Sequence, residues 1–211
     1  MDICTNLLVE IIASQYIIRN FFNQNGVKME DKKVKDLMIP SSAYPTVSHD
    51  SCMMEAISVL EESQKNVPEH LHPYRAVLVV DENNKVIGKV GHLSFLKALE
   101  PKYASYQDFD KLSKANLSDD FISSLMENFS FWQDNFFDIC KKVQHIRVKD
   151  IMHPVTERID HNATLLEAMH KLIMWESLSI LVSRGDEIVG LIRISDIYQE
   201  ITEYIRNNCN T

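Results

Sequence analysis

The segment Gly190-Leu191-Ile192-Arg193-Ile194-Ser195-Asp196 gathers the groups best suited to holding a ligand. An apolar strand pattern gives way there to a helical one, so Ser195 and Asp196 stand at a helix start. A hydroxyl and a carboxylate in that position can cap the helix and favour its dipole, or accept hydrogen bonds from a polar ligand. A related segment, Gly88-Lys89-Val90-Gly91-His92-Leu93-Ser94, lies about a hundred residues earlier. Glu69-His70-Leu71-His72 could present two imidazoles on one side of an extended chain, as a metal site requires. A solvated pair in a Pro-bounded loop is the favoured reading, and no metal is assigned. Cys4, Cys52, Cys140 and Cys209 form no CxxC or Cys/His cluster, which removes zinc and thiol-redox signatures. No Ser/His/Asp arrangement or catalytic carboxylate pair stands out, and five glycines leave no dinucleotide or P-loop fingerprint. The expectation is a protein that is not an enzyme.

The elements that must position these groups occur twice. Val34-Lys35-Asp36-Leu37-Met38 returns as Val148-Lys149-Asp150-Ile151-Met152, with Pro40 and Pro154 two residues beyond. His49 matches His161, and Glu55-Ala56-Ile57 matches Glu167-Ala168-Met169. Val77 to Val80 is matched to Ser179 to Val182, and Val86-Ile87-Gly88 to Ile188-Val189-Gly190. The same order in both copies marks a duplicated unit. In the second copy the first strand is placed near Val155–Asp160. Thr164 and Glu167 form a capping box, followed by the stripe Leu165, Leu166, Met169, Leu172 and Ile173. Ile180–Val182 and Ile188–Ile192 read as a hairpin, and the last helix runs from about Ser195 to Arg206.

On these residues the sequence resembles a tandem pair of cystathionine-β-synthase (CBS) domains, the arrangement often called a Bateman module. The resemblance implies an α/β fold of two β-α-β-β-α repeats packed as a pseudo-twofold pair. It also implies a non-catalytic regulatory module with an adenine-containing ligand (AMP, ADP, ATP or S-adenosylmethionine) in the cleft between repeats, and no required cofactor. In nucleotide-binding CBS domains the closing segment is similar to Gly-h-x-Thr/Ser-x-x-Asp, where the carboxylate accepts both ribose hydroxyls. Gly190 and Asp196 match this pattern, and Ser195 precedes the carboxylate as it does in many family members. Arg193 stands at the Thr/Ser position, where it can contact phosphate or fill the pocket. The resemblance places Thr156 and Arg158 near an adenine pocket. In the first repeat Gly91 and Ser94 replace Thr/Ser and Asp, which points to a degenerate site. His92 there is read as a helix-start histidine or a phosphate neighbour. The alternative function is a ligand-independent protein-interaction or dimerisation module.

Lys and Arg total 22 against 30 Asp and Glu, a net charge of −8, which disfavours a nucleic-acid partner. The domains expected are an amphipathic helix and linker at 1–33, repeats at 34–100 and 147–206, a helical aromatic-rich insertion at 101–146, and a tail at 207–211. Within the insertion, Ser118 reads as a helix start with Phe121, Ile122, Leu125, Met126 and Phe129 on one face, and Asp134 opens a second helix. Polar residues interrupt the apolar stretch 3–22, so no membrane span or signal peptide is read there and a cytoplasmic protein with reduced thiols is expected. A homodimer is expected, with 1–22 or 101–146 available to an unknown protein partner.

Overall fold

The computed structural model describes residues 29–65, 73–100, 118–129 and 136–208. The sequence readings at residues 1–28, His70, His72, Asp134 and Cys209 lie outside that range. The first repeat contributes β1 (Ile39–Pro40), β2 (Thr46–Ser48), α1 (Met53–Lys65), β3 (Ala76–Val80), β4 (Val86–Gly91) and α2 (His92–Leu99). Helices α3 (Asp119–Phe129) and α4 (Phe136–Val143) belong to the insertion. The second repeat contributes α5 (Val148–Ile151), β5 (His153–Pro154), β6 (Arg158–Asp160), α6 (Leu165–Met174), β7 (Ser179–Arg184), β8 (Glu187–Arg193) and α7 (Ile194–Asn208).

Two four-stranded sheets result, ordered β1-β8-β7-β6 and β2-β3-β4-β5. Each repeat therefore gives its first short strand to the other's sheet. Ile39 pairs with Leu191, and His153 with Lys89, both antiparallel. Backbone bonds repeat the exchange upstream: Lys35 N–H donates to the His161 carbonyl and Lys149 N–H to the His49 carbonyl, at 2.9 and 3.0 Å. Val34 and Val148, fully buried, accordingly sit in the core of the opposite repeat. Two units too small to bury a sufficient core alone are thereby joined through both openings.

Local sequence accounts for the elements. Thr164 Oγ1 accepts from Glu167 N–H at 3.1 Å, and Leu165, Ala168 and Leu172 bury the inner stripe of α6. The expected outer members of that stripe, Leu166 and Ile173, are exposed. The β7–β8 turn needs a left-handed residue, and Gly185 supplies it with φ 61°; Asn84 does so in the first repeat with φ 59°. The strand match made from sequence shifts by one residue. Ala76 faces Gly91 as Ser179 faces Arg193, and Val79 faces Gly88 as Val182 faces Gly190. The counterparts of Ser179 to Val182 are thus Ala76 to Val79, because an unbroken apolar run carries no internal register mark. The first strand of the second repeat covers only Arg158–Asp160, with β5 standing separately at His153–Pro154.

In the insertion, Ser118 Oγ accepts from Phe121 N–H at 3.3 Å, which starts α3. Phe121 and Ile122 are exposed, whereas Ile139 and Val143 of α4 are buried in the first repeat's core. The insertion thus covers the module's own apolar surface with its second helix.

Candidate functional site

Antiparallel pairing with β1 brings the opening of the first repeat over the end of β8. Gly190 permits this: a Cβ there would lie 2.5 Å from the Ile39 carbonyl oxygen. Gly88 does the same for the other exchange, where a Cβ would lie 2.6 Å from the His153 carbonyl oxygen. Gly190 thus has a steric role in strand pairing, whatever else it does.

Arg193 ends β8 and Asp196 lies in the first turn of α7. Arg193 Nε donates to Asp196 Oδ2 and Nη2 to Oδ1, both at 2.6 Å. The two residues are 7% and 6% exposed, so this bidentate pair is a buried one. Burial alone would lower the Arg193 guanidinium. The hydrogen-bonded carboxylate outweighs it and holds the group above its usual value.

Tyr44 and Tyr74 complete the surroundings. Both are buried, with ring centroids 4.7 Å apart and edge-to-face. Tyr74 donates its hydroxyl to the Ala43 carbonyl at 3.0 Å, fixing the segment that follows β1. Burial raises both phenols, opposed by the Arg193 charge and reinforced by Asp196, so both rings lie within electrostatic reach of the pair. Sequence reasoning missed both tyrosines. The signal was present for Tyr44, because aligning β2 with β6 sets it opposite Thr156.

Ser195 is half-buried beside the pair. Thr156 and Arg158 are not brought to it. Thr156 is exposed and follows β5, which pairs with β4 on the first repeat's sheet. Arg158 turns to Asp186 at 3.3 Å, in the turn at the opposite end of the hairpin from Arg193. The exchange of openings explains this: the residues after β1, not those after β5, approach Asp196.

At the equivalent place in the first repeat, His92 is exposed at the start of α2 and Ser94 is buried with no hydrogen-bond partner for its hydroxyl. Lys89, buried between the repeats, donates to the Ser179 carbonyl and to Ser179 Oγ, the latter at 3.1 Å. Desolvation lowers its ammonium to about 8 against the opposing charge of Glu157. No cluster of three metal-ligating side chains occurs among the described residues, and no described helix is long and apolar enough to cross a membrane.

Two α/β repeats with exchanged openings, and a carboxylate at the last strand–helix junction, make up the fold. Residues 148–203 match the CBS domain family model. The chain's fold is similar to that of CBSX2, solved in complex with AMP, at 18% identity and TM-score 0.50, covering 82% of this chain and 98% of that one. It is also similar to the CBS domain of a bacterial CNNM/CorC family Mg2+ transporter, solved with ATP, at 14% identity and TM-score 0.52, covering 82% and 89%. A CBS domain-containing protein of unknown function from Bacillus anthracis str. Ames Ancestor aligns at 16% identity and TM-score 0.55, covering 83% and 96%. Comparison with curated proteins gives no match.

Proposed function

We propose that the chain is a non-catalytic regulatory module that binds an adenine nucleotide in the cleft between its repeats, with Asp196 as ribose acceptor. The observation that carries this reading is the buried carboxylate of Asp196 at the start of α7, roofed by the segment after β1 with Tyr44 and Tyr74. Two structures of the same fold were solved with AMP and with ATP, which supports the same class of ligand. Binding there presses on the exchanged opening of one repeat and the last helix of the other. A nucleotide that favours one relative placement of the two would shift that equilibrium and the surface offered to a partner.

The test is titration calorimetry of the full chain with AMP, ADP, ATP and S-adenosylmethionine. At least one should bind, and Asp196→Ala should weaken it about ten- to a hundredfold, the worth of a hydrogen bond to a charged acceptor. Unaltered binding in that variant would move the site elsewhere.

A homodimer is part of the proposal. Leu93 and Leu96 on α2, and Tyr198 and Ile205 on α7, are exposed apolar side chains on equivalent helices of the two repeats. Apolar surface of this kind favours self-association. Light scattering should give about twice the 24.4 kDa chain mass; a single-chain mass across the micromolar range would refute it.

A further inference from the structure

We propose that the apolar segment 3–22 of this chain docks on an apolar corner of the second repeat, where α6 ends and β7 and α7 begin. Ile173 and Met174 close α6, Leu178 precedes β7 and Ile194 opens α7. They are 61%, 63%, 56% and 39% exposed. The chain turns tightly between Met174 and Leu178, with Ser177 N–H returned to the Leu172 carbonyl at 3.0 Å. Ile194 N–H donates to the Leu178 carbonyl, also at 3.0 Å. The four residues therefore surround one corner of the repeat. The first repeat has the same backbone there and none of the apolar surface. His92 N–H donates to the Arg75 carbonyl at 3.2 Å, which makes Arg75 and His92 the counterparts of Leu178 and Ile194. Leu60 and Leu172 hold equivalent buried positions on α1 and α6, which sets Glu61 and Glu62 against Ile173 and Met174. All of these polar counterparts are exposed.

A face used by both repeats alike would be apolar in both, as Leu96 and its counterpart Tyr198 are. This corner is apolar in one repeat only, so its occupant is particular to the second repeat. The chain delivers one there. Met29, where the described residues begin, is buried in the second repeat's core. The Lys32 carbonyl accepts from Leu165 N–H at 3.1 Å, at the start of α6. The run-up to the second opening already covers the first repeat in this way: Val143 precedes Val148 by the same five residues that separate Met29 from Val34, and it is buried with Ile139 in the first repeat's core. Ile3, Leu7, Ile11, Ile18 and Phe22 recur at spacings of four and seven, the pattern of one apolar helix face. Such a helix over 3–22 reaches about 30 Å against about 15 Å for α6, and the polar residues 23–28 span up to about 20 Å. A segment tethered at the start of α6 thus has the length to cover its end.

The test is photo-cross-linking of the full chain carrying Met174→p-benzoylphenylalanine, on an equilibrated mixture of isotopically light and heavy chains, mapped by mass spectrometry. Cross-links should join position 174 to residues 3–22 of the same chain. Links between light and heavy chains would seat a second copy on the corner and overturn the proposal. Links confined to other residues, or none, would overturn it as well. A second measurement uses Ile173→Glu with Met174→Glu, which gives the corner the residue type that Glu61 and Glu62 supply in the first repeat. Trypsin should cut after Arg19 at least about tenfold faster in that variant than in the wild type, because cleavage tracks the undocked population. An unchanged rate would refute the docking. If the variant loses its fold by circular dichroism, Ile18→Glu, on the segment itself, takes its place with the same expectation and the same refuting result. Neither measurement bears on the nucleotide reading.

Discussion

Gly190 and the Ile39 carbonyl are packed so closely that a Cβ would stand 2.5 Å from the oxygen. This approach docks one repeat's opening on the other's sheet, and overpacking it forces β1 off β8. Gly190→Ala should therefore destabilise the chain by about 1–3 kcal/mol, read as a lower denaturant midpoint. Gly88→Ala should behave alike, since its Cβ would stand 2.6 Å from the His153 carbonyl oxygen. A midpoint unchanged in both would show that the exchanged strands contribute nothing to stability.

The Tyr74 hydroxyl is the tie between β3's approach and the segment after β1. Tyr74→Phe removes the 3.0 Å bond to the Ala43 carbonyl and leaves that oxygen to find another donor. A loss of about 1–2 kcal/mol is expected, measured by chemical denaturation. A variant as stable as the wild type would mean that Tyr74 acts by packing alone.

Lys32 and Glu200 form a buried ion pair between the segment that leads into the first repeat and the last helix. Glu200 lies one turn beyond Asp196 on α7, on the same buried face. Removing one member of such a pair costs about 3–5 kcal/mol, so Glu200→Gln should lower the denaturant midpoint strongly. The double change Lys32→Met with Glu200→Leu should cost less than Glu200→Gln. A double variant weaker than that single one would contradict the pairing argument.

Lys89 predicts a pH dependence. Its ammonium ionises near 10.5 when unfolded and near 8 in the fold, because burial disfavours the charge. Between those values the unfolded chain binds more protons, so rising pH favours the folded state. The gain across the whole window is at most about 3.4 kcal/mol. Above about pH 10 the buried phenols of Tyr44 and Tyr74 act in the opposite direction, so the clean interval is roughly pH 8 to 9.5. Melting temperature should rise there in the wild type relative to Lys89→Met, in which that contribution is gone. Parallel profiles would show that Lys89 keeps its proton.

Much of this architecture is legible in the sequence. The two Val-Lys-Asp openings, the Thr164 cap, the β7–β8 hairpin and the carboxylate at the start of α7 all follow from local pattern. The exchange of openings does not, because β1 and β5 are two residues long and carry no periodicity. Their partners are set by long-range pairing across the pseudo-twofold. That is why the resemblance groups Thr156 and Arg158 with Asp196 and says nothing of Tyr44 and Tyr74, which lie within electrostatic reach of it. The one-residue slip between Val77 and Ala76 has the same origin: apolar neighbours satisfy either register. The Arg193–Asp196 bond goes unread in the sequence, although the two are only three residues apart across a strand–helix junction. Local pattern does not supply the burial of the pair either.

Hydrogen–deuterium exchange of the full chain, with and without saturating ATP, tests the central claim most directly. If a nucleotide enters the cleft beside Asp196, amides of residues 39–44 and 190–197 should slow together, since those two segments form its roof and floor. Exchange unchanged in both segments under saturating ATP, or protection confined to residues outside them, would contradict the account.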